Sequence, residues 1–183
     1  LALIYLDLER FEEAIEQGET LIRRGYEFVP IYNIVAMAYS ARGDLEKGHR
    51  VLQACVERYP DNWAGHSFLG WHLLRWGKLD ASIAAFEKAD SLRTGSFVTQ
   101  MGMWTVLVLS ERWDEAAGVA ERMASSSDPF VKRLGMNVHA VDELYRGRSP
   151  EALASLRAAA DLGPPGLLRT QANSFAAFLL LEK

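Results

Sequence analysis

The sequence predicts an all-α protein, a solenoid of about five antiparallel helical hairpins laid one on the next. Three observations predict it. Residues of one kind return at a step of 34: Tyr5, Tyr39, Leu73, Leu107 and Val141 are large, and Ala14, Gly48, Ser82 and Ala116 are small. Turn positions keep the same step, as Glu9, Gly43, Gly77 and Glu111, each with an apolar residue two places on (Phe11, Leu45, Leu79, Trp113). No segment sustains the period-two alternation of a strand. Parallel series at one period of this length are the mark of a repeat protein.

Each unit reads as two helices. Ile31, Ile34, Val35, Ala38 and Tyr39 recur at three- and four-residue steps, which is one face of a helix. Gly43 supplies the positive φ that ends it, Leu45, Val51, Leu52, Cys55 and Val56 form the next stripe, and Pro60 closes that one. Asp61 is the expected N-cap of the following helix, with Trp63 in its first turn; Ser96 is expected to cap the helix from Phe97. Ser149-Pro150 gives a further cap followed by proline at the first helical position. In the fifth unit the step from Ala116 to Ala152 is 36, and the two extra residues are expected in the turn around Tyr145–Pro150.

The small series have a mechanical reason, because two helices approach to about 8–10 Å only where the side chains between them are small. Ala2, Ala36 and Gly70 on first helices face that need together with Ala14, Gly48, Ser82 and Ala116 on second helices. Trp104 breaks the first series and predicts more open or shifted packing in its hairpin. A hairpin built this way still has an apolar face that only the next hairpin can bury.

The stretch Tyr39-Ser-Ala-Arg-Gly43-Asp-Leu45 with Gly48, Leu52, Cys55 and Pro60 resembles a tetratricopeptide repeat. So does Leu69-Gly70-Trp-His-Leu73-Leu-Arg-Trp-Gly77-Lys-Leu79 with Ser82, Phe86 and Ala89, and the units around Tyr5 and Trp113 match less completely. The resemblance implies a right-handed superhelix forming one repeat domain over 1–183, with units at about 1–28, 29–62, 63–96, 97–130 and 131–166 and a partial unit at 167–183. It also implies that first helices line a concave groove holding a protein or peptide segment. The residues expected there are Asn33, Met37, Ser40, Ser67, Trp71, Leu74, Arg75, Met101, Thr105, Val108, His139, Asp142, Gln171 and Phe175. Some members grip a terminal carboxylate with Lys and Asn on successive first helices; Asn33 is present here without the matching lysines. Trp71 carries the strongest expectation of contact, since aromatic and arginine side chains dominate interface hot spots.

Composition excludes other classes. The formal charge of −4, with basic residues scattered, argues against nucleic acid. The longest apolar runs, such as Phe175–Leu181, fall far short of the roughly 20 residues of a membrane span. The single cysteine, Cys55, allows no internal disulfide and fits a reducing, cytoplasmic setting, although a periplasmic protein without disulfides has the same composition.

Chemistry-bearing motifs are missing: there is no phosphate loop, no His-Glu-x-x-His and no Gly-x-Ser-x-Gly. His49, His66, His72 and His139 are read as structural, the Glu9, Glu12, Glu13, Glu16 and Glu19 cluster as the solvated face of one helix, and Cys55 as core. The expectation is a non-catalytic interaction scaffold without cofactor or metal. The alternative is a sensory or regulatory arm of a larger enzyme or transcription regulator, since both ends read as uncapped and the chain as a piece of a longer protein. The apolar Phe175, Phe178, Leu179 and Leu180 predict self-association through the last helix.

Overall fold

A computed structural model describes residues 2–162. Phe175, Gln171 and the expected helix at 167–183 lie outside the described residues. Ten helices follow in order: α1 (Ala2–Asp7), α2 (Phe11–Arg23), α3 (Pro30–Ala41), α4 (Leu45–Arg58), α5 (Trp63–Arg75), α6 (Leu79–Leu92), α7 (Phe97–Leu109), α8 (Trp113–Ala124), α9 (Pro129–Tyr145) and α10 (Ser149–Asp161). No strand occurs among the described residues, and the fold is all-α as the periodicity predicts. The chain forms two compact units, 1–102 and 103–183, with α7 contributing to both.

One turn closes all five hairpins among the described residues, and its bonds occur once more at Gly25 and Tyr26 after α2. In the α3–α4 turn the Gly43 N–H donates to the Ser40 carbonyl at 3.0 Å and the Asp44 N–H to the Tyr39 carbonyl at 2.9 Å. This pair of bonds closes a helix through one left-handed residue. The same pair recurs at Glu9 and Arg10, Gly77 and Lys78, Glu111 and Arg112, and Gly147 and Arg148. The left-handed residue is Gly43 (φ 83°) or Gly77 (φ 74°) in two of them, but Glu9 (φ 57°) and Glu111 (φ 58°) hold it with a side chain. The fifth turn is therefore not enlarged. The extra residues expected there are taken up by α9, which runs for 17 residues where α5 runs for 13.

Helix starts correct two sequence expectations. Asn62, not Asp61, caps α5, its side chain accepting from the Ala64 and Gly65 N–H groups. Ser149 is the first residue of α10 and Arg148 precedes it without a side-chain cap, because the turn leaves the helix entering directly from its left-handed residue. A cap the sequence reading passed over is Asp128, which accepts from Phe130 and Val131 N–H with Pro129 at the helix start.

Within the first unit, α3 packs on α2 and α4, α5 on α4 and α6, and first helices touch in succession, α1 on α3 and α3 on α5. The small series sit at these contacts: Ala14, Ala36 and Ser82 are fully buried. A Cβ on Gly48 would stand 2.9 Å from the Ala36 carbonyl oxygen, and Ser82 Oγ donates to the Gly70 carbonyl at 2.8 Å. The Phe86 ring, fully buried, fills the space left by Gly70 and Gly102; a Cβ on Gly102 would fall 2.2 Å from it. Cys55 is core, and burial pushes its thiol up to about 11.

A polar joint ties α5 to α3 and α4. His72 is fully buried, its Nε2 lying 2.9 Å from the Leu45 carbonyl, so Nε2 carries the proton and donates; Nδ1 lies 3.2 Å from Ser40 Oγ. The His49 ring stacks on it at 6.1 Å, with Trp76 edge-on to both. Burial, reinforced by nearby Arg75 and His49, pulls the His72 pKa below its ordinary value.

Two outcomes follow. Glu111→Gly relieves a left-handed side chain and should raise stability by about 1 kcal/mol in urea denaturation, whereas Gly43→Glu should lower it by a similar amount. Because His72 binds its proton more weakly folded than unfolded, its contribution is complete above the unfolded value of 6.5 and is lost as pH falls. As pH falls below that value, stability should drop by up to about 1.4 kcal/mol per pH unit, and the slope should flatten in His72→Gln.

Candidate functional site

In the first unit the expected groove residues occupy matching positions on α3, α5 and the start of α7. Asn33 is half-buried and its Nδ2 donates to Met37 Sδ at 3.5 Å, so the two side chains lie along one helical ridge. Trp71 is half-buried too. Its ring stands edge-on to Phe86 with centroids 5.7 Å apart, and its indole N–H donates to the Val98 carbonyl at 3.1 Å. Trp71 thus combines packing with exposure: the ring is fixed by a neighbour and keeps part of its surface toward solvent.

Leu74 and Met101 are half-buried, and Arg75 is exposed. Arg75 makes no ion pair among the described residues, yet the protein around its guanidinium lowers its pKa through desolvation. Two residues of the set have gone inward. Ser67 is fully buried and shares a hydrogen bond with Thr99 Oγ1, and Ser40 donates to the Ala36 carbonyl beside His72.

In the second unit Thr105 and Val108 are half-buried on α7. Asp142 is 2% exposed, with Arg146 Nε donating to its Oδ2 at 2.9 Å; the same guanidinium reaches Asp114 Oδ1 and the Trp113 carbonyl. Asp142 Oδ1 is buried without a partner among the described residues. Arg148 forks onto the neighbouring Glu143. His139 faces α10, where its Nδ1 lies 3.4 Å from Ser155 Oγ.

That histidine lines a feature the sequence reading missed. A cleft of about 520 Å³ lies over α9, between the end of α8 and the middle of α10, lined by Glu121, Ala124, Ser125, Met136, His139, Ala154, Ser155 and Ala158. A Cβ on Gly135 would fall 2.1 Å from the Ala124 nitrogen, so this glycine lets α8 press directly onto α9 and sets one wall. The detectable signal was Gly135 with Ala154 and Ala158, small residues on helices that the 34-step series did not single out.

Ser155, His139 and Glu143 do not form a nucleophilic relay. The hydroxyl–imidazole distance of 3.4 Å is long, Glu143 Oε1 stands 3.8 Å from His139 Nε2, and the carboxylate is already bound by Arg148. Ser155 also lies inside α10, where backbone N–H groups are spent in the helix and offer no oxyanion hole. Among the described residues no three His, Cys, Asp or Glu side chains gather as a metal would require, and no helix is long and apolar enough to cross a membrane.

The tetratricopeptide repeat family model matches residues 35–96, the stretch holding α3 to α6. Among solved structures, the Thermus thermophilus TPR protein TTC0263 is similar at TM-score 0.68 and 19% identity, covering 94% of each chain. Yeast Tom70 is similar at TM-score 0.81 and 15% identity over 99% of this chain, which spans 39% of Tom70. MamA is similar at TM-score 0.70 and 16% identity, with 88% of this chain and 94% of MamA covered. Comparison with curated protein sequences finds no match. Residues 35–96 thus match the tetratricopeptide repeat in sequence, and most of the chain is similar in fold to solved tetratricopeptide-repeat structures.

Proposed function

We propose that this chain is a non-catalytic interaction scaffold whose first unit holds a partner segment across α3, α5 and the start of α7, against Asn33, Met37, Trp71, Leu74, Arg75 and Met101. The repeat fold supports a protein-interaction role in general. Structures of similar fold include the Naa15/Naa10 complex bound to HypK, of which this chain matches 28% of one chain.

The observation that carries the proposal is Trp71. A half-exposed indole held by Phe86 and by the Val98 carbonyl loses little conformational freedom when a partner covers it. Rigid aromatic surface of this kind makes binding hot spots. Arg75, one helical turn along and without an ion pair among the described residues, adds a cation beside that surface. Ser67 serves packing in the first unit, as Asp142 does in the second.

The test is to select linear peptides against the whole chain from a displayed library and measure the best of them by fluorescence anisotropy. Trp71→Ala with Arg75→Ala should cost about 2 kcal/mol or more, roughly a thirtyfold loss, with the circular dichroism of the parent retained. Equal affinity in a folded double variant would reject the placement.

A further inference from the structure

We propose that the cleft of the second unit is a receptor for a lysine or arginine side chain presented by a partner segment, separate from the contact surface on the first unit. Its lining is mostly apolar, with Met136, Ala124, Ala154 and Ala158 offering a surface suited to an unbranched methylene stem. Acceptors join that lining: Glu121 makes no ion pair among the described residues, and Ser125 and Ser155 add hydroxyls. Ala124 and Ser125 bring the end of α8, the negative end of its helix dipole, to the same cleft.

Two nearby cations are engaged elsewhere, Arg133 over the Phe130 ring and Arg148 forked onto Glu143, and Arg122 lies back along α8 over Gly118. An apolar slot ending in an unpaired carboxylate and a helix C-terminus is complementary to a long side chain with a charged tip. A short apolar side chain would leave the acceptors without a partner, and an acidic one would be repelled.

The cleft also has a fixed frame. Gly135 sets α8 against α9, Ser155 stands beside His139, and α9 packs on both α8 and α10. A guest therefore meets walls already in place, which lowers the cost of binding.

The experiment titrates the full ¹⁵N-labelled chain with acetyl-Gly-Lys-Gly-amide and, separately, with the same peptide carrying norleucine, which keeps the stem and lacks the charge. The lysine peptide should shift the amides of residues 121–125, 136–139 and 154–158 and saturate with a dissociation constant on the order of millimolar. Glu121→Gln, an exposed change that leaves the fold alone, should weaken binding about tenfold. Ala158→Leu, which fills the slot, should abolish it. Trp71→Ala should leave the titration unchanged, so failure here is distinct from failure of the first-unit contact. Equal binding by the norleucine peptide, full affinity in Glu121→Gln, or shifts spread outside the cleft would each overturn the proposal.

Discussion

The hairpins rest on a contact between helices where neither contributes a bulky side chain. Gly48 meets the Ala36 carbonyl and Ser82 bonds to the Gly70 carbonyl, so in these two hairpins a small residue of the second helix touches the backbone of the first. That approach brings the larger residues on either side into register. Leu52 with Ile31 and Tyr32, and Phe86 beneath Gly70 and Gly102, then fill the volume so formed. A larger side chain at any of these points would part the two helices and open the space that Phe86 or Leu52 now fills.

This dependence explains why the fold was legible in the sequence. A backbone contact tolerates few residue types, and a turn that needs one left-handed residue tolerates few as well, so both return visibly at each repeat. The five turns proved alike even where Glu9 and Glu111 replace glycine, because the hydrogen bonds at the turn hold that residue in place. What misled was spacing taken alone. The 36-residue step around Ala152 pointed to a longer turn, whereas an added stretch of α9 absorbs it. Counting residues between small positions cannot distinguish the two, since helix and turn both lengthen the period.

The candidate site was less legible. Position on a first helix predicts which way a side chain leaves the backbone, and Trp71, Arg75 and Met37 keep exposed surface there. It does not predict what a polar side chain will find. Ser67 found Thr99 on α7 and Asp142 found Arg146 at the end of its own helix, and both were drawn inward. Those pairings link residues about 30 apart or one helical turn apart, and nothing in the local pattern distinguishes them from solvent-facing positions. The α8–α10 cleft escaped for a related reason: apart from Met136 and His139 of α9, its lining comes from second helices, whose outer faces carry no repeat constraint.

Buried polar joints have a further consequence for a stack of similar units. An apolar ridge can settle into a neighbouring groove one turn up or down with little loss, so hydrophobic burial alone selects a register weakly. The His72 bond to the Leu45 carbonyl, the Ser67–Thr99 pair and the Ser82 bond to Gly70 are each met in one register only. A slipped register would leave these groups buried and unpaired, at about 1–3 kcal/mol apiece. The polar atoms add little net stability where they are satisfied, and their weight lies in the alternatives they penalise. In the second unit Arg146, held by Asp142 at the end of α9, reaches Asp114 and the Trp113 carbonyl of α8 and stands in the same relation. Repeats that hold their neighbours in one register present binding residues at fixed separations, and a partner segment can be read only against such a fixed spacing.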